Sequence, residues 1–122
     1  MRSHELVLVF YQRLPKYHPQ GLVPLEKPVV HRASGKKAGS VYGGMKNASV
    51  QQFTNYPRSV LHFASRGKRL HPTQKPVELR EYLVRTSTDP GDLELDNCMG
   101  SGSTAVAALQ AGRPFVGFET NT

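Results

Sequence analysis

The chain has 122 residues, a formal net charge of +7 and a single cysteine. This length allows one domain at most, the apolar runs are too short for a membrane helix of roughly 20 residues, and one cysteine excludes an internal disulfide. We therefore expect a cytoplasmic protein. Residues 1–70 hold 12 of the 16 lysines and arginines but only two of the nine acids. Such a basic segment is typical of proteins that bind polyanions, and a solvated face without a partner is the alternative.

The first part of the chain predicts two strands and an irregular connection. Residues 4–11 are apolar and β-branched enough for a buried strand, and residues 59–63 form a second candidate strand. Four prolines between residues 12 and 28 exclude a long helix there, because proline lacks the backbone N–H that a helix interior needs.

A basic loop is predicted between residues 29 and 47, which contain few large apolar side chains and many glycines and lysines. If nucleic acid is the partner, the loop and the arginine beyond it supply the candidate contacts to DNA. These residues are Lys36, Lys37, Lys46 and Arg58.

A short helix is predicted after the stiff, proline-containing segment 71–76. Pro76 suits the first helical turn, where its missing N–H costs nothing. Glu78 lies near the start of this helix and Arg85 in its last turn, as the helix macrodipole favours. Residues 88–92 then form a turn.

The segment from Leu93 to Glu119 predicts a strand, a glycine-rich turn, an alanine-rich helix, a second strand and an acid. Gly100, Gly102 and Ala105 fit the G-x-G-x-x-G/A turn of nucleoside-cofactor sites. Glu119 follows at about 20 residues, where an acid that binds ribose hydroxyls is expected. A strand–helix unit whose glycines only permit tight packing is the alternative.

The acid before the turn bears on which cofactor would bind. Asp96 ends the first strand, where a carboxylate would repel a pyrophosphate but would suit the cationic amino-acid end of S-adenosylmethionine. No lysine follows Gly102, which argues against a nucleoside triphosphate site. An NAD-type oxidoreductase remains an alternative. One cysteine and five scattered histidines give no metal-site spacing.

Three strings in order resemble the C-terminal half of bacterial and phage DNA amino-methyltransferases, the adenine-N6 or cytosine-N4 enzymes with permuted motif order. They are residues 71–79 (HPTQKPVEL), 96–104 (DNCMGSGST) and 117–119 (GFE). The resemblance implies an α/β fold, a partial Rossmann-like methyltransferase sheet with an irregular basic insertion. It implies one partial domain over 1–122, in which about 13–58 correspond to target recognition and 71–122 to the cofactor-binding half.

The resemblance also implies a reaction and a setting in restriction–modification. A base flipped out of double-stranded DNA would receive a methyl group from S-adenosylmethionine on its exocyclic amino nitrogen. Carried over residue by residue, the cofactor-binding positions are Thr73, Lys75, Asp96, Gly100, Ser101, Gly102 and Glu119.

The chain departs from the family pattern in three ways. The catalytic Asp/Asn/Ser-Pro-Pro-Tyr/Phe motif is absent, and residues 55–57 (NYP) are the nearest string, so we assign no catalytic residue. Glu94 interrupts an expected buried strand, and the chain ends at Thr122, where the family continues. We interpret the chain as a truncated member, such as a prophage remnant, that is inactive alone. A separate chain carrying the catalytic half is a further partner to consider, and a non-catalytic DNA-binding module is the alternative function.

Overall fold

The computed structural model describes residues 4–33, 47–64 and 74–120. These contain, in order, two strands, a helix, a strand, a helix and a strand. The chain divides into two compact units, of which one is Pro19–Leu61 and the other joins Met1–His18 to His62–Thr122. The α/β prediction is therefore confirmed at the level of mixed helices and strands. The first of these units coincides in sequence with most of the 13–58 segment assigned to target recognition.

The Pro19–Leu61 unit contains a two-stranded antiparallel sheet formed by β1 (Val23–His31) and β2 (Ser49–Thr54). Its register shifts between Pro24 and Val29. Proline lacks the N–H that a regular ladder needs, so an irregular edge strand is where it is tolerated. Nearly every position of both strands is exposed, and an isolated two-stranded sheet is only marginally stable in water.

Both strand predictions for the first part of the chain are wrong. Residues 4–11 belong to no strand, and their side chains are exposed, with Leu6 at 80% and Phe10 at 88%. Residues 59–63 also form no strand. Composition gave both segments the side chains of a strand, but a strand also needs a paired neighbour. Strand β1 was not predicted because its prolines suggested an irregular connection. The strand also extends to residue 31, which lies inside the segment predicted as a loop.

The other unit contains two helices, α1 (Val77–Ser87) and α2 (Ser103–Gln110). The predicted first helix is confirmed, with Pro76 at its N-cap and the expected acid and base in its first and last turns. Arg80 contacts Thr104 near the start of α2, and Arg85 contacts the Gln110 carbonyl at its end, so the two helices lie side by side and run in the same direction. Among the described residues, the buried apolar side chains are aliphatic: Val84, Ala107, Ala108 and Ala111.

The predicted strand–helix–strand unit is confirmed. Strand β3 (Glu94–Asp96) pairs in parallel with β4 (Phe115–Gly117), and α2 forms the crossover between them. Alternate side chains of a strand point to opposite faces. Asp96 therefore shares the half-buried face with Glu94, whereas Leu95 between them is 63% exposed.

A buried arginine joins the ends of the two helices. Arg113 is 5% exposed and follows Gly112, whose φ of 73° ends α2 in the left-handed conformation that glycine favours. Its guanidinium donates to Thr88 Oγ1 over 3.0 Å, to the Thr88 carbonyl over 2.6 Å and to the Ala111 carbonyl. These bonds satisfy carbonyls that the helix ends leave unpaired, and they place the chain for entry into β4.

Candidate cofactor site

The glycine-rich turn between β3 and α2 depends on two left-handed residues. Gly100 has a φ of 53° and Gly102 a φ of 73°, values that residues with a Cβ rarely adopt. The turn is closed by the bond from the Gly102 N–H to the Met99 carbonyl, 2.9 Å, and Gly102 is the N-cap of α2. The predicted glycines therefore have a conformational role and are not present for packing alone.

A third glycine lets the turn lie against β4. A Cβ added at Gly117 would be 2.6 Å from Met99 Sδ and 2.6 Å from the Phe115 ring. The Met99 N–H also donates to the Phe118 carbonyl over 3.0 Å. The Met99 side chain and backbone therefore both anchor the turn to the end of β4, and a Cβ at position 117 would force the Met99 and Phe115 side chains to shift.

Asp96 is held at the edge of the turn by three neighbours. Its Oδ1 accepts from the Cys98 N–H over 3.0 Å, and its Oδ2 accepts from the Thr104 hydroxyl over 2.5 Å. Arg80 Nη1 lies 3.8 Å from Oδ2. Burial raises the pKa of Asp96, but the Thr104 hydroxyl, the Cys98 N–H and the Arg80 charge outweigh it and hold the pKa below its ordinary value. Asp96 is thus an ionised, oriented carboxylate at neutral pH.

Glu119 approaches the turn from the end of β4. Its Oε2 accepts from the Gly100 N–H over 2.7 Å, and its Oε1 accepts from the Thr120 N–H over 2.9 Å. A carboxylate oxygen can accept more than one hydrogen bond, so bonds to the turn are compatible with a further bond to a ligand hydroxyl. The structure therefore brings Glu119 together with the glycine turn, as the spacing in the sequence predicts.

The charges around the turn indicate which ligands it can take. Two carboxylates, Asp96 and Glu119, flank the backbone of the turn. Carboxylates accept hydrogen bonds and attract cations, so they suit an ammonium group and ribose hydroxyls and would repel a pyrophosphate. An added Cβ at Gly100 would meet no atom within 4 Å, so there is open space beside the turn. This pair of acceptors fits S-adenosylmethionine better than it fits a dinucleotide.

The remaining predicted positions are placed less closely around the turn. Ser101 lies within it and is half-buried. Lys75 Nζ donates to both Glu5 carboxylate oxygens, at 2.7 and 2.6 Å, and this bond holds the pKa of Glu5 below its ordinary value. Thr73 lies outside the described residues. Lys75 therefore has an ion-pair partner from the N-terminal segment, and its role at the site stays a prediction.

Of the predicted DNA contacts, only Arg58 can be placed. It is exposed and follows β2 in the chain. The other three predicted contacts, Lys36, Lys37 and Lys46, lie outside the described residues, in the connection between β1 and β2. The assignment of these four positions to DNA binding stays a prediction.

Two site residues were missed in the sequence, Arg80 and Thr104. Their contact, 2.5 Å from Arg80 Nη1 to Thr104 Oγ1, joins residues 24 positions apart on different helices. Thr104 follows the glycine turn at the first turn of α2, which could have indicated it, whereas no local pattern points to Arg80. Arg80 Nε and Glu94 Oε1 are buried without a hydrogen-bond partner in the described part of the chain. Among the described residues, Glu94 Oε1 is thus a buried polar atom without a partner, which is the destabilising feature expected of an acid inside β3.

No helix in the described ranges is both long and apolar enough to cross a membrane. Among the same residues there is no group of three or more histidine, cysteine, aspartate and glutamate side chains that could hold a metal ion.

The family model of the N6/N4 methyltransferases, described as DNA methylase, matches residues 1–122. The type II methyltransferase M1.MboII of Moraxella bovis is 48% identical over 54 residues, which are 44% of this chain and 21% of that protein. The DNA adenine methyltransferase YhdJ of Escherichia coli K12 is 44% identical over 52 residues, which are 43% of this chain and 18% of that protein.

The matched segments are short relative to these relatives. In three curated relatives, the segment that matches covers between 18% and 26% of the protein's own length. Among solved structures, the M1.HpyAVI–SAM complex is similar with 24% sequence identity and a TM-score of 0.44. That match covers 84% of this chain and 58% of the other.

Proposed function

Because the chain belongs to the N6/N4 DNA methylase family, we propose that the segment from Leu93 to Glu119 binds S-adenosylmethionine. The observation that carries the proposal is the pair of carboxylates, Asp96 and Glu119, on either side of a left-handed glycine turn. Bound there, this cofactor supplies a methyl group for an exocyclic amino nitrogen of adenine or cytosine in DNA.

Each side chain has a distinct part in holding the cofactor. Asp96, ionised and fixed at both oxygens, would accept from the ammonium of the methionine part. Glu119, already bonded to the turn through Gly100, would accept from ribose hydroxyls. The left-handed glycines let the ligand approach the backbone closely, as in other nucleoside-cofactor turns. Thr73 and Lys75 are the further cofactor contacts that we propose from the family pattern.

The target of methylation would be double-stranded DNA, bound by the basic part of the chain. Lys36, Lys37, Lys46 and Arg58 are the proposed phosphate contacts. Phosphate contacts by lysine and arginine release counterions, so the affinity for DNA should fall steeply as salt is added. This part would position a base that has been flipped out of the stack.

We propose further that the chain does not catalyse methyl transfer on its own. The sequence contains no Asp/Asn/Ser-Pro-Pro-Tyr/Phe string, the motif that holds the amino group of the target base in the family it resembles. The motif would have to be supplied from outside residues 1–122. If the purified chain transfers a labelled methyl group to duplex DNA, this part of the proposal is wrong.

The cofactor proposal is tested by calorimetric titration with S-adenosylhomocysteine and, separately, with a nicotinamide dinucleotide. We expect only the first ligand to bind, and we expect Asp96→Asn and Glu119→Gln each to weaken it by about tenfold, roughly 1.4 kcal/mol. Glu78→Gln is the matched control, because Glu78 is an exposed acid in the first turn of α1. Preferential binding of the dinucleotide would overturn the proposal in favour of an oxidoreductase.

A non-catalytic DNA-binding module is the second candidate function, favoured by the concentration of 12 lysines and arginines in residues 1–70. It predicts DNA binding that is salt-dependent and unaffected by Asp96→Asn, together with no affinity for S-adenosylhomocysteine. DNA binding that is absent at low salt would exclude it.

A further inference from the structure

A chain of hydrogen bonds reaches Asp96 from helix α1. Arg80 Nη1 donates to Thr104 Oγ1, and the Thr104 hydroxyl donates to Asp96 Oδ2, each over 2.5 Å. Because the guanidinium can only donate, the Thr104 oxygen accepts from it and directs its own proton to the carboxylate. We propose that Arg80 is a positioning residue that acts through Thr104 to hold the Asp96 carboxylate in the orientation that the cofactor site uses.

The geometry fixes both ends of the carboxylate. The Cys98 N–H binds Oδ1 over 3.0 Å and Thr104 binds Oδ2, so rotation of the carboxylate would break both bonds. Oδ1 keeps acceptor capacity for a ligand ammonium on the side of the turn. Arg80 Nη1 is also 3.8 Å from Oδ2, close enough to act directly as a counter-ion. Half-buried surroundings strengthen this attraction relative to water.

The charged residues on the elements next to Asp96 are mostly acids. Glu94 shares the Asp96 face of β3, and Glu119 lies beyond the end of β4. Helix α2 contributes Thr104 but contains no charged residue. On α1, Glu78 and Glu81 are acidic, and Arg85 is engaged with Glu81 over 2.8 Å. Within the described residues, Arg80 is the charged group that lowers the pKa of the Asp96 carboxyl.

Arg80 also joins α1 to α2, so a purely structural role must be separated from the positioning role. Arg85 provides the matched comparison, because it joins the same two helices at their other end through a 2.9 Å bond to the Gln110 carbonyl. Removal of either arginine should loosen the helix pair. Only removal of Arg80 should change the orientation and the pKa of the Asp96 carboxylate.

The experiment uses the full chain with Arg80→Met, Arg80→Lys and Arg85→Met. The Asp96 carboxyl is titrated by carbon-13 NMR without ligand, and S-adenosylhomocysteine affinity is measured by calorimetry at neutral pH. We expect Arg80→Met to move the Asp96 midpoint to higher pH and to weaken ligand binding by about tenfold, the lower end of what orienting residues contribute at metal sites. Arg80→Lys should restore part of both effects, and Arg85→Met should produce neither.

The cofactor part of this inference rests on the proposed function, whereas the titration of Asp96 does not. If the wild-type chain fails to bind the ligand, the proposed function fails, but a raised Asp96 midpoint in Arg80→Met still supports the positioning role. An unchanged midpoint, or the same changes in Arg85→Met, would overturn that role and leave Arg80 as a helix contact. If Arg80→Met does not fold, Thr104→Val removes the bridging hydroxyl instead, and we expect the same rise.

Discussion

Replacement of Gly117 by alanine tests whether the glycine turn depends on contact with β4. The added Cβ would lie 2.6 Å from Met99 Sδ and from the Phe115 ring. Ordinary carbon contacts are about 3.5–4.0 Å, so each neighbour would have to move by roughly 1 Å. The Met99 side chain can move more easily than the ring, which shares the strand with residue 117.

We expect this substitution to lower the free energy of unfolding by about 1–2 kcal/mol, within the range for overpacked sites. For a domain of this size, each kcal/mol corresponds to a fall in Tm of about 4 °C. Because the chain has no tryptophan, unfolding is best followed by far-ultraviolet circular dichroism. The affinity for S-adenosylhomocysteine should fall as well, since Met99 anchors the turn through its 3.0 Å bond to Phe118.

The double variant Gly117→Ala with Met99→Ala serves as the control. Met99→Ala removes the sulfur that the new methyl group would strike, so the double variant should be less destabilised than the two single changes added together. Unchanged Tm and unchanged ligand affinity in Gly117→Ala would refute the reasoning, because they would mean that the turn does not rest on β4.

Three further outcomes follow from the contacts. The pKa of Asp96 is lower in the folded state than in the unfolded state. Its contribution to the free energy of unfolding should therefore be complete above the unfolded-state pKa of about 3.9 and should be lost as the pH falls through the lower folded-state pKa. Urea unfolding measured from pH 7 to pH 2 should show this loss of stability, and the loss should be smaller in Thr104→Val. Arg113→Met should cost about 2–3 kcal/mol by urea unfolding, because buried bonds from a charged donor to Thr88 and Ala111 are lost, and a cost below about 0.5 kcal/mol would contradict this. Gly102→Ala should cost about 1–2 kcal/mol by thermal unfolding, because its φ of 73° strains any residue with a Cβ, and an unchanged Tm would show that the turn adopts another conformation.

The C-terminal part of the fold could be predicted because its signals are local. Pro76, Glu78 and Arg85 mark a helix through rules that act within one or two turns. The glycine turn and the acid after it lie within one strand–helix–strand unit, so their spacing alone brings them together.

What the sequence could not show depends on contacts between distant segments. The exposed residues 4–11 have a strand's composition but no ladder, and pairing is a property of two segments that a pattern in one cannot report. The buried Arg113 bonds to Thr88, 25 residues earlier, and Arg80 bonds to Thr104, 24 residues later. No periodicity or propensity in either neighbourhood indicates that an arginine there would be needed.

The choice of cofactor comes down to the balance of charge at the turn. The N-terminus of α2 contributes about half a positive charge, which in many nucleotide sites is enough to favour a phosphate. Here Asp96 and Glu119 add two negative charges, and Arg80 offsets only one of them. At an effective dielectric constant of about 20, two unit charges 4 Å apart interact by roughly 4 kcal/mol. A doubly charged pyrophosphate would therefore be repelled by the remaining negative charge at the turn, and the half charge of the helix N-terminus is too small to cancel this repulsion. S-adenosylmethionine carries a sulfonium and an ammonium against one carboxylate and meets a net attraction. The balance therefore favours a cationic methyl donor over a dinucleotide.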